Sequence, residues 1–310
     1  MIISKIFQGL GNQFFQYAFG FARAKDLGEN FKIDTSYFET FSEVTQFGYT
    51  YTREFGLNRF NISAQEASKV EIDQVLHPKG ENLFQKIINR KRLLSKKTQN
   101  HFHVKENVLE FNSNFLKVKK NTYLEGYFTD ERYFQKYRNE LLKEFSLRSQ
   151  ASEKNQALID EMESVNSVCI SIRRTNFLNN PIHGTCGEDY YYNAMKLMAV
   201  KVENPTFYVF SDDNEWINQY FDNQGLKCVF VQHNFPDFYE DFRLMQQCKH
   251  HIIPNSTFPW WAAWLSGYEG KIVIAPHYWL KKDDINYTGY LPESWIKLEH
   301  IKNTFFKGDQ

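Results

Sequence analysis

Cysteine is scarce in this 310-residue chain, and none of the four is set in a C-x-x-C spacing. Cys169, Cys186, Cys228 and Cys248 therefore read as reduced thiols, not as a disulfide framework or a zinc site. A charge surplus is missing too, since 37 basic residues face 37 acidic ones. Proteins that live on a polyanion carry a basic excess, so nucleic acid is not an expected partner. No apolar run reaches the roughly 18–20 residues of a membrane span. "MIISKIF" enters a strand pattern at once, so a secretory leader is not expected. The expected location is the cytoplasm, with at most peripheral contact at the inner face of the membrane. One basic stretch, "KIINRKRLLSKK" at 86–97, suits either anionic headgroups or a solvated helix face. Internal repeats and low-complexity tracts are absent.

What is present is enough for packed cores. Apolar residues make up 42% of the chain, and its length suggests two domains. The second half is the more regular. From Val168 onward, "VCISI", "TFYVF", "KCVFV", "HHIIP" and "KIVIAP" alternate with helical patterns such as "DYYYNAMKLMAVKV" and "PDFYEDFRLMQQC". Strand and helix in alternation predict a parallel sheet covered on both faces. Such sheets bind ligands at the carboxyl ends of their strands, where Arg173, Asp212 and Asn255 fall. The first half opens likewise, with strand "IISKIF", turn "QGLGNQ", helix "FFQYAFGFARAKDLG" and strand "FKID". It loosens between Thr35 and Asn121. A polar, helix-prone composition shift at 146–167 marks the domain junction, giving domains at 1–150 and 151–310, the last residues packing back on the first.

Each motif carries a plain and a chemical reading. In "GLGNQ", Gly9 and Gly11 allow close approach to a ligand and Asn12 is placed to cap the helix, but a tight turn explains the same residues. Phe14 stands where a dinucleotide fingerprint has its third glycine. Arg173 and Arg174 at a strand end pair with acidic neighbours or hold an anion. Asp212 and Asp213 cap a helix, hold a ribose, or bind a metal, the last poorly for want of a third ligand. Asn255, Ser256 and Thr257 open a helix whose start suits an anion, with Pro259 in its first turn. The same three residues form a glycosylation sequon. Trp260, Trp261 and Trp264 lie on helical spacing and belong mostly to a core.

Taken together, "GLGNQFFQYAFGFA", "EGYFTDERYF", "ISIRRTNF", "VFSDDNEW" and "DFRLMQQCKHHIIPNSTFPWWAAWL" resemble the bacterial α-1,2-fucosyltransferases, from about Ile3 to Leu280. The resemblance implies a GT-B fold, two Rossmann-like α/β domains facing across a cleft. The carboxyl-terminal domain would bind GDP-fucose and the amino-terminal one would shape the acceptor site. Arg173 matches the family's diphosphate arginine and Arg174 its neighbour. Ser256 and Thr257, after Asn255, match the phosphate-side helix start, and Asp212 and Asp213 the acidic pair on the nucleoside side. Asn12, beside Gly11, matches an asparagine near the reacting centre. Gln13, Asn176 and Trp261 are supporting or acceptor-side candidates. No metal or other cofactor is implied. The implied reaction moves L-fucose with inversion to the 2-hydroxyl of a terminal β-galactoside, on a free or lipid-linked oligosaccharide such as an O-antigen repeat. The family pattern His-x-Arg-Arg-x-Asp is altered here: Ser171 replaces the histidine and Asn176 the aspartate. An inactive glycan or nucleotide-sugar binder and a transferase with another donor are the alternatives. The general base has no candidate in the sequence.

Overall fold

The computed structural model describes residues 1–41, 43–46, 49–78, 103–106, 111–178, 180, 182–280 and 289–299. The basic stretch at 86–97 and the chain's last eleven residues lie outside them. Two compact units part between Arg148 and Ser149. The first holds the described parts of Met1–Val44, Thr50–Arg148 and Asn286–Tyr290. The second holds those of Thr45–Tyr49, Ser149–Ile285 and Leu291–Gln310. Among the described residues no helix is long and apolar enough to cross a membrane.

The first unit is a parallel five-stranded sheet. In chain order its elements are β1 (Ile2–Lys5), α1 (Leu10–Leu27), β2 (Phe31–Asp34), β3 (Gln65–Glu66), α2 (Lys69–Leu76), β4 (His103–Lys105), β5 (Thr122–Glu125) and α3 (Arg138–Glu144). The strands lie in the order β3-β2-β1-β5-β4. β1 is central, pairing Ile2 with both Phe31 and Thr122. α1 buries every residue from Gln13 to Ala24. Phe14, Phe15, Tyr17 and Phe19 alone each contribute about 1.5–3 kcal/mol of apolar burial. Gly28 ends the helix in the left-handed conformation, φ 61°, which glycine adopts without steric cost. The short strands β3 and β4 come from the stretch where the sequence pattern loosens, and β5 follows directly after it.

The second unit runs α4 (Glu153–Ser164), β6 (Asn166–Ile172), α5 (Glu188–Lys201), β7 (Pro205–Ser211), α6 (Asn214–Tyr220), β8 (Cys228–Phe230), α7 (Phe238–Gln247), β9 (His250–Ile252), α8 (Thr257–Leu265), β10 (Val273–Pro276) and β11 (Ile296–Leu298). All six strands are parallel, in the order β8-β7-β6-β9-β10-β11. Numbered within the unit this is 3-2-1-4-5-6, the doubly wound Rossmann order. Val168, Ile170 and Ile172 of β6 pack with Phe207 and Val209 of β7 and with Tyr190, Ala194, Met195 and Met198 of α5. The chain is thus α/β, with the two Rossmann-like halves of the GT-B class. The strand order reverses between β6 and β9, and there the adjacent connections leave on opposite faces and open a crevice.

Candidate functional site

The opened crevice in the second unit is bounded by the carboxyl ends of β6 and β9, with β7 alongside. Register decides what meets there. Ile172 pairs with Ser211, so the residues that follow, Arg173 and Asp212, leave the sheet side by side. Arg173 Nη1 donates to Asp212 Oδ2 at 2.8 Å. The other carboxylate oxygen accepts the Arg174 backbone N–H at 2.8 Å, and the Thr175 hydroxyl also donates to Asp212. Asp213 is the N-cap of α6, accepting from Trp216 N at 3.0 Å, and its second oxygen takes Arg174 Nε at 3.1 Å. The arginines are therefore not free of carboxylates, as their sequence neighbours suggest. Their partners arrive from the next strand.

The two arginines differ in exposure. Arg174 keeps 4% of its side chain accessible and lies 4.2 Å from the Trp216 ring centroid. It clamps the end of β6 onto α6, and removing one member of such a buried pair costs about 3–5 kcal/mol. Arg173 keeps 34% accessible. Its Nη2 donates to Asn176 Oδ1 at 2.6 Å, and its guanidinium carbon lies 5.4 Å from the Phe177 ring. Asn176 thus holds the open arginine with a neutral acceptor. Three separate groups fix a partly exposed cation at a crevice, an arrangement suited to a bidentate anion.

At the end of β9, Asn255 is buried, and its side-chain amide donates to the carbonyls of His183, Gly184 and Trp279 at 3.1, 3.2 and 3.0 Å. It ties two loops to the strand end. Ser256 is the N-cap of α8 by backbone conformation, without a side-chain cap bond, and Thr257 is the first helical residue. Trp261 is fully buried among Trp260 and Trp264 and belongs to the core.

One residue of this crevice had no sequence signal. His183, a lone histidine in a loop, stacks on Phe177 with ring centroids 5.0 Å apart and planes 14° off parallel. The Phe177 ring thus carries Arg173 and His183 together. Burial pushes the imidazole down to about 4, so it is neutral. Its Nδ1 is buried and has no partner among the described residues. The tautomer with the proton on Nε2 avoids a buried orphan donor and leaves an N–H to give.

The remaining sequence candidates sit in the first unit. Gly9, not Asn12, is the N-cap of α1, and it makes no side-chain cap bond. The helix starts at Leu10 because Gln8 takes the left-handed turn, φ 67°, before it. Gly11 and Asn12 fall in the first helical turn. A Cβ on Gly9 would stand 3.0 Å from Arg53 Nη1, so this cation is packed over the turn. Gln13 is buried; its amide donates to the carbonyls of Gln8 and Glu54 and accepts Gly56 N–H, which makes it a brace of the turn. Among the described residues no group of three His, Cys, Asp or Glu side chains is placed to hold a metal.

Residues 1–299 match the model of glycosyl transferase family 11. The α-1,2-colitosyltransferase of Escherichia coli is 30% identical over 96% of this chain and 99% of its own length. The O-antigen biosynthesis glycosyltransferase WbnK of Escherichia coli is 32% identical over 94% of this chain and 98% of its own. Among solved structures, the fucosyltransferase NodZ from Bradyrhizobium aligns with 84% of this chain and 91% of that one, at 14% identity and a TM-score of 0.47. A match that runs through both units, from the first strand to β11, means that the chain belongs to glycosyl transferase family 11 and is a glycosyltransferase.

Proposed function

We propose that this protein is an inverting α-1,2-fucosyltransferase that moves L-fucose from GDP-L-fucose to the 2-hydroxyl of a terminal β-galactoside. The observation that carries the reading is Arg173, a partly exposed arginine braced at the Rossmann switch point of a family 11 chain. Transfer leaves GDP as an anion, and the barrier falls when fixed positive charge meets the charge that develops on the departing phosphate. Arg173 supplies that charge. Asp212 and Asn176 hold its planar fork, and Arg174 and Asp213 hold the strand end beneath it. The N-terminus of α8, with Ser256 and Thr257, adds backbone N–H groups on the phosphate side, and Asn255 shapes the loop beside it. Asn12 is assigned to catalysis and Gly11 to donor binding. Arginine and helix amides take the part a divalent metal plays elsewhere, so the reaction runs without one. The acceptor is a free or lipid-linked oligosaccharide.

A second reading concerns the donor. The relative named as a colitosyltransferase uses a sugar that is L-fucose without its 3-hydroxyl. Both readings share the nucleotide site and differ only around the sugar ring.

The test is direct. The purified protein is incubated with GDP-fucose and lactose or Galβ1,3GalNAc in EDTA, with release of GDP and formation of the fucosylated product followed. GDP-colitose in parallel decides the donor. Binding of GDP without transfer from either donor would make the protein a binder and overturn the reading.

A further inference from the structure

The crevice of the second unit holds one more donor than its sequence motifs show. His183 lies in the loop between β6 and α5, and it is gripped at three points. Its backbone N–H donates to Asn180 Oδ1 at 3.0 Å, and the same oxygen accepts Ile182 N–H at 2.9 Å. Its backbone carbonyl accepts the Asn255 amide at 3.1 Å, which ties the loop to the end of β9. Both asparagines are buried. Its ring lies flat against Phe177, with centroids 5.0 Å apart. Backbone and ring are therefore ordered before any ligand arrives, so the entropy of fixing this side chain is not charged to binding.

One polar atom is left over. Nδ1 is sealed and has no partner among the described residues. Nε2 makes no hydrogen bond with a described residue either, but His183 is only half-buried, and this is the nitrogen left to a ligand. A proton on Nδ1 would bury an unpaired donor, so it belongs on Nε2. Burial holds the imidazole neutral, with a pKa of about 4. A neutral donor suits this place. A second full cation beside Arg173 would have to be desolvated, whereas an N–H facing an anion takes its charge assistance from the ligand.

The neighbours say what that ligand is. The Arg173 guanidinium carbon lies 5.4 Å from the same Phe177 ring. Asn255, which holds the His183 carbonyl, directly precedes Ser256 and the start of α8. The loop is thus tied to the arginine through Phe177 and to the helix N-terminus through Asn255, the two features that suit phosphate oxygens.

We propose that His183 Nε2–H donates a hydrogen bond to the diphosphate of the nucleotide sugar, as a second phosphate ligand beside Arg173. This rests on the transferase reading above and uses residues of the second unit alone.

The test is calorimetric titration with GDP, and with guanosine by competition, for wild type, His183→Phe and His183→Gln. The phenylalanine keeps the stack on Phe177 and lacks the N–H. The glutamine keeps an N–H and lacks the stack. His183→Phe should bind GDP about three- to tenfold more weakly, with guanosine affinity and melting temperature unchanged. His183→Gln should recover part of that loss. Equal GDP affinity in wild type and His183→Phe would overturn the assignment. A loss shared equally by guanosine would overturn it too, because the effect would then not arise at the phosphates. If His183→Phe fails to fold, wild type labelled with ¹⁵N-histidine decides. The His183 signal, assigned by its absence from His183→Gln, should show the Nε2–H tautomer and move with GDP but not with guanosine. The Nδ1–H tautomer, or a signal that GDP leaves in place, refutes the proposal. A wild type that binds no GDP defeats the function reading instead, and the role of His183 with it.

Discussion

Restoring the family carboxylate by Asn176→Asp should weaken this enzyme. Arg173 stands between two acceptors, Asp212 Oδ2 at 2.8 Å and Asn176 Oδ1 at 2.6 Å. The first is charged and the second neutral. An aspartate of the same shape would turn the second bond into a charge-assisted one, worth about 1 kcal/mol more. With a third of the arginine side chain exposed, solvent screening keeps the gain at or below that figure. A guanidinium bracketed by two carboxylates has that much less to offer a diphosphate. One kcal/mol is about a fivefold change in an equilibrium constant. GDP should therefore bind roughly 3–10-fold more weakly to Asn176→Asp, with a similar fall in turnover. Asn176→Ala removes only a neutral tether, worth about 0.5–1.5 kcal/mol, and leaves Asp212 in place. The assay is calorimetric GDP binding at fixed ionic strength, followed by turnover at saturating donor. A gain in turnover above tenfold in Asn176→Asp would refute the reasoning, because the carboxylate would then be the missing catalytic group.

Other outcomes follow from the same geometry. Arg173→Ala should cut turnover by about 10²–10³, and Arg173→Lys should rescue it poorly because a single ammonium cannot bridge Asp212, Asn176 and an anion in one plane; near wild-type turnover in the alanine variant would discard the site. His183→Phe preserves the stack on Phe177 but removes the Nε2 donor, so GDP affinity or turnover should drop several-fold while the melting temperature holds. Asn255→Ala should lower the melting temperature by several degrees, since three buried carbonyls lose their donor at about 1–3 kcal/mol in all. Glu106, the residue after β4, is lifted by burial and gives a stability signature of the opposite kind. Its pKa rises from 4.5 unfolded to about 7 folded, so its favourable contribution is complete below about 4.5 and is lost as pH climbs through 7. Glu106→Gln should accordingly be more stable than wild type at pH 8.5, by at most about 3 kcal/mol, and not at pH 4, as thermal unfolding at the two pH values will show.

The second unit was largely legible because its strands are long apolar runs separated by amphipathic helices, and each polar strand end stands out against such a background. Arg173, Asp212 and Asn255 could be named from that contrast alone. Their partners could not, because strand order and register are long-range facts. Nothing local to "SIRRTNF" reveals that Ser211 lies opposite Ile172 and so brings Asp212 alongside. In the first unit the strands of two to four residues around 65, 104 and 123 carry too little periodicity to be seen between turns. Asn12 was misplaced as a cap because the left-handed turn at Gln8 starts α1 earlier than the glycine spacing suggests. His183 and Asn255 illustrate one general limit, that burial decides whether a polar side chain is a brace or a reagent.

The side-by-side exit of Arg173 and Asp212 has a consequence for anyone recombining this enzyme with a relative. The stretch from 171 to 177 and the stretch from 211 to 213 are separated by more than thirty residues of chain, yet they form one object. A crossover placed inside α5 splits that object between parents. A hybrid that inherits the Ser171/Asn176 version of the first stretch beside a second stretch tuned to a His/Asp version joins arginines and carboxylates selected in different company. The two strand ends should therefore be exchanged together, with the intervening helix free to come from either parent.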